Sequence, residues 1–110
     1  MTDFAYCKLE IFVPADHFPA IQAALAETDA GHIGAYDRCL SYSPVTSFWR
    51  PLAGTHPYLG EENTLCQAQE LKVEVTCRTE QVDDVVEAVK AAHPYEEPVI
   101  NVIPLYRTSF

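Results

Sequence analysis

The sequence predicts a two-layer α+β domain with the element order β-α-β-β-α-β, and three observations carry that expectation. Two segments, AYCKLEIFV at 5–13 and ELKVEVTC at 70–77, alternate between apolar and polar side chains, the period of a half-buried strand. Each is followed by apolar residues at helical spacing. A further strand-like run closes each half, so the chain reads as a βαβ unit stated twice across a long connection.

In the first strand, Cys7, Leu9, Ile11 and Val13 share one face, and Tyr6, Lys8, Glu10 and Phe12 the other. Pro14 ends it, and Asp16 is placed to cap a helix over 17–29 whose apolar stripe is Phe18, Ile21, Leu25 and Thr28. Gly31 can take the left-handed conformation that closes a helix. A second strand is expected in AYDRCLSYS, 35–43, with Asp37 and Arg38 interrupting its alternation. Pro44, Pro51 and Pro57, with Gly54 and Gly60, then predict a long loop or hairpin arm at about 44–69.

The third strand is the clearest, with Leu71, Val73, Val75 and Cys77 set against Glu70, Lys72, Glu74 and Thr76. Thr79 is placed to cap a second helix carrying Val82, Val85, Val86 and Val89. Valine lowers helix propensity, so packing must hold that helix. Pro94 ends it, and VINVIPL at 99–105 forms the last strand. The sum is a ferredoxin-like sandwich, a four-stranded antiparallel sheet with two helices on one face, and 110 residues make it a single domain over 1–110.

Composition narrows the function. Seven basic residues against sixteen acidic ones leave a formal charge of −9, which repels phosphate backbones and argues against nucleic-acid binding. No apolar run approaches the roughly 18 residues of a membrane span, and MTDFAYCKLEIFVP has neither the basic start nor the apolar core of a signal peptide, so a cytoplasmic location is expected. Cys7, Cys39, Cys66 and Cys77 include no C-x-x-C pair, which argues against a zinc knuckle, and Cys7 and Cys77 are expected as buried thiols. There is no glycine-rich phosphate loop, no H-E-x-x-H and no nucleophile elbow.

The sheet face away from the helices is expected to carry Tyr6, Phe12, Tyr36, Leu40 and Tyr42. An apolar patch of that size marks an interface, so a homo-oligomer is expected, with Trp49 as a further anchor. Beside Trp49, Arg50 pairs with a carboxylate across that interface or holds an anion. His17 belongs to the first turn of helix one and His56 to an exposed loop. His32 sits between Gly31 and Gly34, where a ligand can approach the backbone closely. His93 ends the second helix, where the dipole favours a protonated imidazole, and the plain reading is a C-terminal cap. Both helices are expected to release their chains in comparable places, bringing His32 and His93 together with Glu96 or Glu97. His32, His93 and Glu96 would then make a nitrogen-and-oxygen site suited to zinc or copper; otherwise the glutamates are a solvated turn.

GHIGAYDRC at 31–39, FWRPLAG at 48–54 and HPYEEPVINVIPL at 93–105 together resemble the insert domain of the dinuclear-metal-centre hexameric protein family, the GTP cyclohydrolase I type 2-like proteins. HPYEEP is also similar to the HPYE-x-P signature of the CutA divalent-cation tolerance proteins. The resemblance implies a PII-like, CutA-like fold and a trimer. It implies no catalysis, because the family's dimetal ligands lie in halves flanking the insert. SPVTSFWRP departs from the family, whose loop is glycine-rich before its F-R-P, by having no glycine, and GEENTLCQAQE keeps Gly60 but lacks the family's second glycine.

Three functions follow as expectations. The first is a non-enzymatic trimeric module binding a small molecule or cation in clefts between subunits, with His32, Tyr36, Arg50, His93, Tyr95, Glu96 and Glu97 as cleft residues. The second is a CutA-like divalent-metal binder, and the third a partner or regulatory piece of a dimetal hydrolase. No cofactor is implied beyond that divalent cation.

Overall fold

A computed structural model describes residues 4–110. Strand β1, Tyr6–Val13, leads through a 3₁₀ turn at Ala15–His17 into helix α1, Phe18–Glu27. Strands β2, Ser41–Trp49, and β3, Cys66–Arg78, form a hairpin; a second 3₁₀ turn at Thr79–Gln81 opens helix α2, Val82–Ala92, and β4 spans Ile100–Leu105. All pairings are antiparallel and the sheet order is β2-β3-β1-β4, the ferredoxin-like arrangement.

Alternation fixes the layers. Leu9, Ile11 and Val13 of β1 and Val73 of β3 are sealed from solvent, and against them lie Ile21 and Leu25 of α1 and Val85 and Val89 of α2. The β-branched α2 is thus held by its buried stripe. Asp16 and Thr79 cap neither helix: both lie in the 3₁₀ turns, and the Thr79 hydroxyl donates instead to the Phe4 carbonyl at 2.6 Å. Cys7 and Cys77 are buried opposite one another across β1 and β3 as free thiols. Burial, together with the neighbouring Cys7, pushes the Cys77 thiol up to about 11.

The second strand is displaced from its expected place. It starts at Ser41 rather than near Ala35, because its register follows the long β3 and not its own weak alternation. Pro44 is tolerated within it since β2 is an edge strand and need not donate outward. This register places Tyr42 beside the inward-facing Val73, on the helix side, where its ring meets Phe18 edge-on at 5.0 Å. Leu40 packs against the core, and Tyr36 lies outside the named strands in a small bridge with Ile33. The expectation of an open face carrying Tyr36, Leu40 and Tyr42 is therefore corrected.

The middle of that open face is charged. Lys8 pairs with Glu74, and Glu10 lies 3.3 Å from Lys72 and 3.6 Å from Lys8, with Tyr6 and Phe12 at the two ends of the row. Half-exposed pairs of this kind contribute little. A double-mutant cycle on Lys8 and Glu74 is expected to give a coupling of at most about 1 kcal/mol that shrinks with added salt. A larger, salt-insensitive coupling would mean that the row is buried.

β3 outruns β1, whose Val13 pairs with Leu71, so Val45–Trp49 and Cys66–Glu70 continue as a two-stranded arm. The helices, meanwhile, release their chains at opposite ends of the sheet. β1 and β3 are antiparallel and each helix doubles back along its own strand, so the turn after α1 meets β3 at Thr76 while the end of α2 meets β1 at Phe12. Thr76 pairs with Lys8, so the two points are separated along β1 by roughly 13 Å at about 3.3 Å per residue. No helix among the described residues is long and apolar enough to cross a membrane.

Candidate functional site

The turn after α2 and the loop at the end of the arm fold toward each other. Pro94 stops the helix, and the next residues are anchored from both sides of His93. The His93 Nε2–H donates to the Phe12 carbonyl at 2.7 Å, and its Nδ1 accepts the Tyr95 amide at 3.2 Å. This pairing fixes the neutral Nε2–H tautomer, since a protonated ring has no lone pair for the amide. Burial holds the His93 pKa below its ordinary value, opposed by the Phe12 carbonyl and the charge of Glu70 and reinforced by His17. His93 is thus a neutral staple with 8% exposure, and the expected protonated, dipole-stabilised imidazole is corrected.

Tyr95 then reaches back to the arm. Its phenol donates to Oε2 of Glu70, a residue 4% exposed at the start of the shared sheet register. Burial, followed by the hydrogen bond and charge of Glu70, drives the phenol pKa well above its ordinary value. The ring of Tyr95 lies 5.9 Å from Trp49 and 6.0 Å from Tyr58, and Glu96 accepts the His56 amide at 2.7 Å. Between these walls opens a cleft of about 510 Å³, bounded also by Phe12, Phe48, Arg50, Pro51, Leu52, Glu97 and Val99.

Arg50, Tyr95, Glu96 and Glu97 are brought together here, with His93 behind them as the support of Tyr95. His32 and Tyr36 are not. His32 is exposed at the far end, with Nδ1 2.8 Å from Asp29 and Nε2 3.1 Å from the Gly34 carbonyl, and the bond to Asp29 raises its pKa. Tyr36 is 75% exposed beside it. The expected convergence of His32, His93 and Glu96 on a metal is corrected: the antiparallel helices separate the two histidines, and both His93 nitrogens are engaged. Among the described residues no three His, Cys, Asp or Glu side chains gather to hold a metal ion.

Of the expected interface anchors, Phe12 and Trp49 line the cleft, while Tyr6 packs edge-on against Phe110 at 5.1 Å. Sequence reading missed Glu70, which sits in the polar register of β3 with Lys72 and Glu74 and carries no local sign of burial. Its cover comes from Tyr95, a contact between residues far apart in the chain.

Tyr95→Phe leaves the Glu70 carboxylate without its donor, and is expected to lower stability by about 1.5 kcal/mol. Urea denaturation reads this as an earlier midpoint; an unchanged midpoint would show that the bond contributes nothing.

The arrangement matches known proteins over most of the chain. The model of the CutA1 divalent ion tolerance protein matches residues 54–109. The GTP cyclohydrolase 1 type 2 homolog of Halalkalibacterium halodurans is 40% identical over 98 residues, covering 89% of this chain and 26% of that protein. The chain therefore spans about a quarter of the length of the curated relatives it matches. Among solved structures, a Bacillus cereus protein related to NIF3 superposes with a TM-score of 0.82 at 30% identity, covering 97% of this chain and 27% of that one. The periplasmic divalent cation tolerance protein CutA of Archaeoglobus fulgidus superposes with a TM-score of 0.70 at 26% identity, covering 94% of this chain and 86% of that one.

Proposed function

The chain belongs to the CutA1 divalent ion tolerance protein family, and from that premise we propose a non-enzymatic module that binds a small ligand in a cleft completed between subunits of a trimer. In this reading residues 1–110 form a single domain, acting in the cytoplasm, where free thiols such as its own persist. The observation that carries the reading is the cleft itself. At about 510 Å³ it has the size of a small-molecule site, and its walls combine aromatic rings with a few placed polar groups, Arg50, Glu70, Tyr95, Glu96 and Glu97. Phe48, Leu52 and Leu65 around the arm are more than half exposed, and this supports burial against a second copy.

The polar groups of the cleft suit holding rather than turnover. A phenol whose pKa is raised and which donates to a neighbouring carboxylate is a positioned donor, far from the near-neutral value that favours proton transfer. The cyclohydrolase name of the relatives favours a second reading, in which the chain is a partner or regulatory piece of a dimetal hydrolase carried elsewhere. The family's description favours a third, a divalent cation such as zinc or copper, whose remaining donors another subunit would have to supply.

Ligand-dependent stabilisation separates these, because binding to the folded state alone raises the unfolding midpoint. Small organic ligands that raise it in the wild type but not in Trp49→Ala support the cleft. A shift seen with zinc or copper and reversed by chelator favours the metal instead. No shift with either class would contradict the proposal.

A further inference from the structure

We infer that the cleft takes an organic cation, an ammonium or amidinium group on a flat apolar body, with Glu70 as its anchor. The inference rests on the cleft reading above and names the class of its ligand. Glu70 is 4% exposed, and its Oε2 accepts the Tyr95 phenol. Among the described residues its Oε1 enters no hydrogen bond, yet no fully buried side-chain nitrogen or oxygen there lacks a partner. Oε1 therefore retains contact with solvent, and the space beside Glu70 is the cleft it lines.

A buried carboxylate is costly unless it is paired, and it can accept about four hydrogen bonds. Glu70 has one, from an uncharged donor. Among the described residues no lysine, arginine or histidine forms an ion pair with it. Arg50 lines the same cleft but is exposed and, among those residues, in no ion pair, so the vacant oxygen is left to a guest. A donor carrying positive charge satisfies both the lone pairs and the charge at once.

The walls select the rest of the guest. Trp49, Tyr58 and Tyr95 all line the cleft, the first two tilted at 45° and 46° to the third, so its walls offer aromatic surface to a cation or a flat apolar body. A bare divalent ion is poorly served, because it needs about four donors and no three metal-ligating side chains gather among the described residues. An anion meets the carboxylates of Glu70, Glu96 and Glu97 against the single guanidinium of Arg50.

Trp49 is the only tryptophan in the chain and lines the cleft, so its fluorescence reports occupancy directly. Three probes of similar shape are titrated: phenethylammonium, neutral 3-phenylpropan-1-ol and anionic 3-phenylpropionate. The expected result is saturable binding of the ammonium at least tenfold tighter than either of the others, with tenfold or greater loss in Glu70→Gln. If that variant fails to fold, the charge series on the wild type decides alone. Equal or tighter binding of the alcohol or the carboxylate overturns the organic-cation inference and leaves the cleft reading standing. A response only to zinc or copper, reversed by chelator, also overturns the inference, in favour of a metal. Silence of Trp49 toward every probe overturns the inference and the cleft reading together.

Discussion

Replacing Gly31 with alanine is expected to destabilise the fold by about 3–4 kcal/mol. Gly31 has φ +85°, a backbone region that side chains rarely enter. A Cβ there would stand 2.4 Å from the Cys39 carbonyl oxygen and 2.9 Å from the Cys39 nitrogen, both backbone atoms. Neither side of the contact can yield cheaply. The Gly31 amide is tied to Thr76 of β3 at 2.8 Å, and its carbonyl accepts the Cys39 amide at 2.9 Å. Urea denaturation should show a much lower midpoint with the slope unchanged. A loss below about 1 kcal/mol would mean that the turn between α1 and β2 shifts freely and is not pinned to β3 at Thr76.

His93→Ala is expected to cost about 2–3 kcal/mol, because it strands the Phe12 carbonyl and the Tyr95 amide together in a buried corner. The same residue gives stability a pH dependence. Its folded pKa lies below the ordinary 6.5, so the unfolded chain binds the proton more readily. Stability from this group is therefore complete above about 6.5 and declines as pH falls from there toward the folded value. His32 acts in the other direction, since its folded pKa is raised and its contribution is lost as pH rises past 6.5 toward that value. Between neutral and mildly acidic pH the wild-type protein should lose more stability, or gain less, than His93→Ala, the difference being the contribution of this histidine. An identical slope in the variant would assign the acid sensitivity to other groups.

Where local pattern and global register agree, the sequence was legible. β1 and the body of β3 alternate because one face is sealed by the helices, and α2 shows its valine stripe for the same reason. β2 misled because SPVTSFW packs little: its place is set by pairing with β3, which no feature of its own residues announces. The HPYEEP turn was legible as a corner because its prolines end α2 and lead into β4, and Tyr95, Glu96 and Glu97 of that turn line the cavity. His32 was drawn into the site by the assumption that both helices end on the same side, which antiparallel β1 and β3 forbid. Glu70 stayed hidden because its burial is made by Tyr95, which the chain delivers only after α2.

A cleft walled by the arm and the HPYEEP turn, holding a small ligand within a trimer, has a mass signature. Native mass spectrometry of the purified protein, first without additives and then with phenethylammonium, reads assembly and occupancy together. The expected spectrum is a trimer that gains up to one ligand mass per subunit, a gain lost in Glu70→Gln. A monomer at micromolar concentration would refute the trimeric cleft, and a trimer that stays empty with phenethylammonium would refute the organic cation as its ligand.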